Sequence, residues 1–166
     1  MDCQLRALEP ADVDLLYAIE NDEALWVCGG NTAPYSKYAL LQYITTNLND
    51  FYQDGQLRLV VCEGDVAIGL VDLFNHNAKH QRAEVGIAIL PQFRGKGCGV
   101  KALLELEQYV RQHLHLHQLY AVTAIDNAIG LKAFRKAGYE SGTTLKEWVS
   151  LPNGAYQDAV VWQRKL

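Results

Sequence analysis

The nine residues PQFRGKGCG, Pro91–Gly99, follow a strand-like run, Ala83–Leu90, and precede a strongly helical segment that starts at Val100. Three glycines and two cations therefore stand where a strand turns into a helix. The N–H groups at a helix N-terminus lack intrahelical partners and carry partial positive charge, and glycine lets an anion approach them closely. Arg94 and Lys96 add full charges to the same stretch. The spacing predicts a phosphate-binding loop; the plainer reading is a glycine-rich turn that only reverses the chain.

Two familiar nucleotide loops do not match. A P-loop requires Gly-Lys followed by Ser or Thr, whereas Gly97 follows Gly95-Lys96. A dinucleotide fingerprint read from Gly95 requires glycine where Val100 stands, near the start of a repeated strand-helix-strand unit. What remains is R-x-x-G-x-G, Arg94 to Gly99, in the middle of the chain.

At 166 residues and 49% hydrophobic content, the chain has material for one domain, 1–166, with a sizeable core. No apolar run approaches the ~20 residues of a membrane helix. The N-terminal MDCQLRAL enters an alternating pattern directly, without the regions of a signal peptide, so the cytoplasm is the expected compartment. Cys3, Cys28, Cys62 and Cys98 show no C-x-x-C spacing and are expected as buried or incidental thiols. The net charge of −4 argues against general nucleic-acid binding. Its distribution is uneven: residues 1–90 hold thirteen of nineteen carboxylates and five of fifteen bases, leaving six and ten for 91–166. An anionic ligand is expected at the second half and a cationic one at the first.

Read in order, Gln4–Leu8 alternates as a strand, and Pro10 opens a helix carrying Val13, Leu16, Tyr17 and Ile19. Glu20–Tyr35 reads as irregular. Ser36 is expected to cap a helix with Tyr38, Leu41, Ile44, Thr45 and Leu48 on one face, ended by Gly55. Strands Leu57–Glu63 and Val66–Phe74 meet across Gly64-Asp65, and a loop leads to a strand at Arg82–Leu90. After the glycine loop come a helix with Val100, Leu103, Leu104, Val110 and Leu114 on one stripe, a strand at Leu119–Ile125, and a helix at Ala128–Lys136 capped by Asp126-Asn127. The chain closes with strands Glu140–Ser150 and Tyr156–Arg164 around Pro152-Asn153-Gly154. The fold class is α+β, a mixed and mostly antiparallel sheet flanked by about four helices.

This order, with R-x-x-G-x-G and a second stretch NAIGLKAFRKAGY at Asn127–Tyr139, resembles the GNAT superfamily of acetyl-CoA-dependent N-acetyltransferases over nearly the whole chain. GLVDL at Gly69–Leu73 and HQRAEVGI at His80–Ile87 look most like the bacterial spermidine N-acetyltransferases. Acetylases of ribosomal-protein N-termini share much of the pattern. The resemblance implies acetyl-CoA as cosubstrate, its pyrophosphate on Arg94, Gly95, Lys96, Gly97, Cys98 and Gly99. The sheet is then splayed at the cofactor strand, with the backbone of Ile87, Ala88 and Ile89 free for the thioester and pantetheine arm. Asn127 and the Phe134 position complete the cofactor side. The family commonly places a tyrosine proton donor where this chain has Phe134.

An alkylammonium of pKa near ~10 must lose a proton before it attacks a thioester. Glu84, on the strand entering the loop with Ala83 and Val85 pointing to the other face, is the expected catalytic carboxylate and a contact for the amine; the alternative is a surface glutamate paired with Arg82. The resemblance implies that the segment holding Glu20, Asp22 and Glu23 lines the acceptor side, so these are expected to bind cationic substrate, or else to solvate a loop, with Trp26, Tyr35 and Tyr38 nearby as cation–π faces or as core. His113, His115 and His117 straddle a helix end and a loop, so no metal site is expected. The function that the resemblance implies, with these residues, is acetyl transfer to a small polyamine-like amine. Acetylation of a protein N-terminus and a non-catalytic acyl-CoA-binding module are the alternatives. The expected partner is a small-molecule amine, with no nucleic acid and no membrane; a homo-oligomer stays open.

Overall fold

A computed structural model describes residues 3–27 and 29–166; Cys28, one of the four thiols read above, lies outside the described residues. Among the described residues, seven strands form a single sheet in the order β1-β2-β3-β4-β5-β7-β6. They are β1 (Cys3–Ala7), β2 (Leu57–Glu63), β3 (Val66–Asn77), β4 (Arg82–Ile89), β5 (Gln118–Ala124), β6 (Glu140–Ser150) and β7 (Tyr156–Lys165). Every neighbouring pair is antiparallel except β4 and β5. The helices are α1 (Val13–Glu20), α2 (Glu23–Trp26), α3 (Lys37–Thr46), α4 (Phe51–Asp54), α5 (Cys98–Tyr109) and α6 (Ala128–Lys136), and α5 runs into a π-helical turn, Val110–Leu114. The mixed α+β class holds, with two one-turn helices beyond the four expected.

Strand alternation divides the apolar residues between two layers. Leu57, Leu59, Val61, Val71, Leu73, Ala83 and Val85 face α5, together with Phe134 and Trp162. Val60, Cys62 and Leu70 face α1 and α3, packing on Leu16, Ile19, Leu40 and Ile44. Glu84 lies between Ala83 and Val85, which are both buried on the α5 side, so its side chain leaves on the α1/α3 side.

The β2–β3 hairpin carries an irregularity that fixes a later contact. Near the turn, Glu63 opposes Val66 and Cys62 opposes Ala67; beyond a bulge, Val61 opposes Gly69 and Arg58 opposes Asp72. A side chain at Gly69 has no room, since its Cβ would stand 2.3 Å from the Ala88 carbonyl oxygen. One extra residue thus brings the charges of Arg58 and Asp72 onto one face.

Four local expectations are corrected. The 20–35 segment contains α2, capped by Asp22, whose side chain accepts from the Ala24 N–H. Ser36 caps α3 as expected, but the helix ends at Thr46, and Gly55 (φ 67°) terminates the separate α4. The buried face of α3 is Leu40 and Ile44, while Tyr38, Leu41 and Leu48 are exposed. Their apolar character misassigned the face because α3 is covered on one side alone. On α5, Leu103 and the following Val110 and Leu114 are buried, but Leu104 is exposed and Ala102 and Leu106 take its place.

Candidate active site

The site lies where the sheet comes apart. β4 and β5 pair through three residue pairs only, Arg82 with Gln118, Ala83 with Leu119 and Glu84 with Tyr120. Beyond Glu84, β4 stays on β3 as far as Ile89, while β5 continues on β7 from Ala121 to Ala124. The wedge opens into a cavity of about 750 Å³, lined by Gly86, Ile87 and Ala88 on one side and Val122 and Thr123 on the other. Backbone groups of β4 that would serve a parallel neighbour have none there, as the splayed-sheet expectation requires.

At one end stands the glycine loop. Gly95 and Gly97 have φ of 78° and 86°, and a Cβ on either would meet nothing within 4 Å. Gly97 is the N-cap of α5, so it brings no side chain to the N–H groups of the first turn. An exposed, open cradle with left-handed glycines and undercapped N–H groups fits a pyrophosphate. Cys98 supplies only its backbone, because its side chain is buried in the core. The two cations do less than their proximity in sequence suggests. Arg94 turns back, donating through Nε to the Ile89 carbonyl at 2.6 Å, and its Nη2 lies 3.9 Å from Asp22. Lys96 sits exposed, its Nζ 5.5 Å from the centre of the Phe93 ring.

α6 brings Asn127, Gly130 and Phe134 to the cavity wall. Asn127 caps the helix, its Oδ1 accepting from the Gly130 N–H at 2.9 Å. Phe134 is buried, edge-on to Tyr139 with centroids 5.1 Å apart and stacked on Trp162 at 6.3 Å. Tyr139 packs behind it; its hydroxyl is buried without a hydrogen-bond partner, and burial pushes that phenol well up.

Glu84 lines the cavity from β4. Its Oε2 accepts from Asn75 Nδ2 at 2.9 Å, a different partner from the Arg82 of the alternative reading, and it adjoins Tyr120, whose phenol is pushed up by burial and by the charge of Glu84. Of the acidic trio, only Glu20 lines the cavity. Asp22 caps α2, and Glu23 is exposed. Trp26 also lines it, donating from Nε1 to the Glu20 carbonyl at 2.7 Å, whereas Tyr35 and Tyr38 are exposed.

The residues missed by sequence reasoning are Arg58 and Asp72. Arg58 donates from Nε and Nη2 to the two carboxylate oxygens of Asp72 at 2.7 and 3.1 Å, and from Nη1 to Glu20 Oε1 at 2.6 Å. Burial works against its charge, yet Asp72 and Glu20 more than offset this and hold the guanidinium protonated. Burial also raises the Asp72 carboxyl, against the pull of Arg58. The available signal was a single charge inside each of two apolar strands, LRLVV and GLVDL.

His113 packs on Tyr109 with centroids 4.8 Å apart, and His115 has φ 49° at the end of the π-helical turn. Among the described residues, no three His, Cys, Asp or Glu side chains converge as metal ligands, and no helix is long and apolar enough to cross a membrane.

A family model described as an acetyltransferase (GNAT) domain matches residues 3–140. Spermidine N(1)-acetyltransferase of Escherichia coli strain K12 is 30% identical over 164 residues, covering 95% of this chain and 82% of that protein. The enzyme of the same description from Vibrio cholerae is 28% identical over 159 residues, 93% and 87% of the two chains. A solved structure of Vibrio cholerae spermidine N-acetyltransferase in complex with CoA and spermine matches with a TM-score of 0.80 at 27% identity, covering 98% of this chain and 95% of that one.

Proposed function

The chain belongs to the GNAT acetyltransferase family, and from that premise we propose that it transfers the acetyl group of acetyl-CoA to a primary amine of a small polyamine such as spermidine. The observation that carries the acceptor class is the charge of the cavity. Among the described residues, four carboxylates line it, Glu20, Asp72, Glu84 and Asp126, against two guanidiniums, Arg58 and Arg94, which leaves a net −2 for a cationic amine to meet. The spermidine acetyltransferases to which the chain is similar point the same way.

Acetyl-CoA supplies an acetyl thioester. Gly95, Lys96, Gly97, Cys98 and Gly99 hold its pyrophosphate through the loop and the start of α5, and Arg94 fixes the loop to the end of β4. Ile87, Ala88 and Ile89 present backbone groups along the wedge, and Asn127 and Phe134 wall it from α6. Glu84 attracts the ammonium and accepts its proton, directly or through water, so that the amine's lone pair is available for attack. Phe134 has no proton to give, so departure of the thiolate proceeds without help from that position; a thiol of pKa ~8.5 is a fair leaving group unaided.

Thiol release from acetyl-CoA, measured across spermidine, aminoglycosides and short peptides, tests the reading. Spermidine should give the largest kcat/KM. Preference for peptides would favour acetylation of a protein N-terminus, and no turnover with any amine would favour a binding module.

A further inference from the structure

The chain has no phenol at position 134, yet the wedge holds another hydroxyl. Among the described residues, the hydroxyl-bearing side chains that line the cavity are Tyr43 and Thr123. Tyr43 packs in the α1/α3 layer, its ring 5.7 Å from the guanidinium carbon of Arg58. Thr123 belongs to the other side. It is paired with Val160 of β7, which packs into the α5 layer, so its side chain leaves toward α5 and α6, the side of Phe134.

The strand register sets its level along the wedge. Glu84 with Tyr120 is the last pair of the β4–β5 seam, and three residues further along the two strands stand Ile87 and Thr123. Thr123 is therefore level with the first β4 residue whose backbone serves the thioester under the proposed function. α6 makes room for it. A Cβ at Gly130 would stand 3.1 Å from Thr123 Cγ2 and 2.8 Å from Asn127 Nδ2, so the bare glycine lets helix and strand close on these two side chains. Phe134 follows about one turn later on the same helix. Thr123 is only 4% exposed, and its hydroxyl bonds to no described residue. Its oxygen is nonetheless not sealed off as the Tyr139 hydroxyl is. A buried hydroxyl normally has a partner; the open side of this one is the cavity.

We infer that Thr123 is a further catalytic residue: its hydroxyl donates a hydrogen bond to the cosubstrate's sulfur as the thiolate leaves, supplying from β5 the donor that Phe134 does not supply from α6. The inference rests on the acetyl-transfer reading above and deepens it. As the tetrahedral adduct collapses, the C–S bond breaks, its electron pair goes to sulfur and the carbonyl re-forms as the amide. Of the two protons that the ammonium gives up, one passes to Glu84 before attack and the other leaves the adduct's nitrogen for solvent. Thr123 keeps its own proton, since an aliphatic alcohol is too weak an acid to surrender it, and the thiolate later takes one from water. The hydrogen bond strengthens only as the sulfur becomes charged, so it favours departure over the bound thioester.

The test compares wild type with Thr123→Val, which keeps the shape of the side chain and removes the hydroxyl, and with Thr123→Ser, which keeps the hydroxyl. The first readout needs no turnover: the thiol of bound CoA is titrated through the ultraviolet absorbance of its thiolate. A donor to the charged form favours that form, so the ionisation constant of the bound thiol should be about tenfold smaller in Thr123→Val than in wild type or Thr123→Ser. CoA affinity at neutral pH should stay within about twofold by calorimetry, because the thiol is then mostly protonated. With spermidine, kcat should fall about tenfold in Thr123→Val while KM holds, and Thr123→Ser should recover it. Phe134→Tyr should raise kcat by a larger factor in Thr123→Val than in wild type, since the two donors serve one atom. A bound thiol that ionises alike in wild type and Thr123→Val, or a kcat that does not fall, overturns the inference and leaves acetyl transfer intact. A loss of CoA affinity with no shift of the thiol overturns it too, by placing the hydroxyl on the pantetheine arm. A wild-type protein that neither binds CoA nor acetylates an amine sinks both readings together.

Discussion

Arg94 donates through its Nε to the carbonyl oxygen of Ile89 at 2.6 Å, so the first cation of the glycine loop is bonded to the strand that precedes it. On the proposed function, the loop would hold the pyrophosphate through backbone N–H groups and glycine geometry, with Arg94 acting as a brace and Lys96 as the exposed charge.

These two roles separate by salt. Arg94→Ala should weaken acetyl-CoA binding about three- to tenfold, the scale of one lost charge-assisted bond, with its salt dependence retained. Lys96→Ala should weaken binding by a similar factor and flatten the dependence, because an exposed charge is the part that salt screens. Calorimetric titrations at low and high ionic strength decide; a flattened slope in Arg94→Ala would mean that its guanidinium reaches the cosubstrate after all.

Gly97 combines φ of 86° with an open approach. Gly97→Asp places a carboxylate and a strained backbone at the N-terminus of α5, and acetyl-CoA affinity should fall on the order of 10²-fold or more. Titration of a variant with an unchanged far-ultraviolet spectrum checks it, and undiminished affinity would remove the loop from the cosubstrate site.

Glu84→Gln should lower kcat or raise KM for spermidine, and rising salt should weaken the apparent binding of the amine to wild type more than to the variant. Steady-state kinetics with saturating acetyl-CoA measure both. Wild-type behaviour of the variant with every amine would return Glu84 to the class of surface residues.

The pair Phe134 and Tyr139 can be separated by reciprocal changes. Tyr139→Phe removes a buried hydroxyl that has no partner, so kcat should stay within a few fold and Tm should hold or rise. Phe134→Tyr places a phenol on the cavity wall and should preserve or increase kcat. A collapse of kcat in folded Tyr139→Phe would show that proton donation has moved to the end of α6.

Acid stability turns on Glu107. Burial raises its carboxyl, but hydrogen bonds from Arg164 (2.8 and 3.1 Å) and Arg111 (3.1 and 2.9 Å) outweigh this and hold it below the ordinary range. A depressed carboxyl stabilises the fold fully above its unfolded pKa of ~4.3 and loses that contribution as pH falls through the folded value. Denaturant unfolding at neutral pH and below pH ~4 should therefore show a steeper acid loss in wild type than in Glu107→Gln. Equal slopes would mean that the cluster does not couple to protonation.

Most of the fold was legible because the alternations and glycines were local. Ser36 and Asn127 cap the helices that their positions implied, and the end of the 128–136 helix lies just before Gly138 (φ 84°). Arg58 and Asp72 were not legible, for a physical reason. Counted back from the Gly64-Asp65 turn without a bulge, Arg58 would oppose Val71; the extra residue, Ile68, sets it opposite Asp72 instead. A one-residue slip changes which face every side chain takes, and nothing local announces it. The direction of Arg94 was likewise invisible, since sequence places a charge near a loop without saying which oxygen it will find. α2 and α4 escaped because each is a single turn held by an aspartate cap.

A sheet normally has two edges, and both are places where foreign strands can attach. This sheet has a third edge, along β4 past Glu84, created by a β4–β5 seam only three residue pairs long. It lies indoors, with β5 as the facing wall. An outside polypeptide strand is screened from it, whereas a slender ligand with its own amides can lie along it and borrow the hydrogen bonds that a neighbouring strand would have used. The protein thus keeps a sticky edge for its chemistry without exposing one to aggregation.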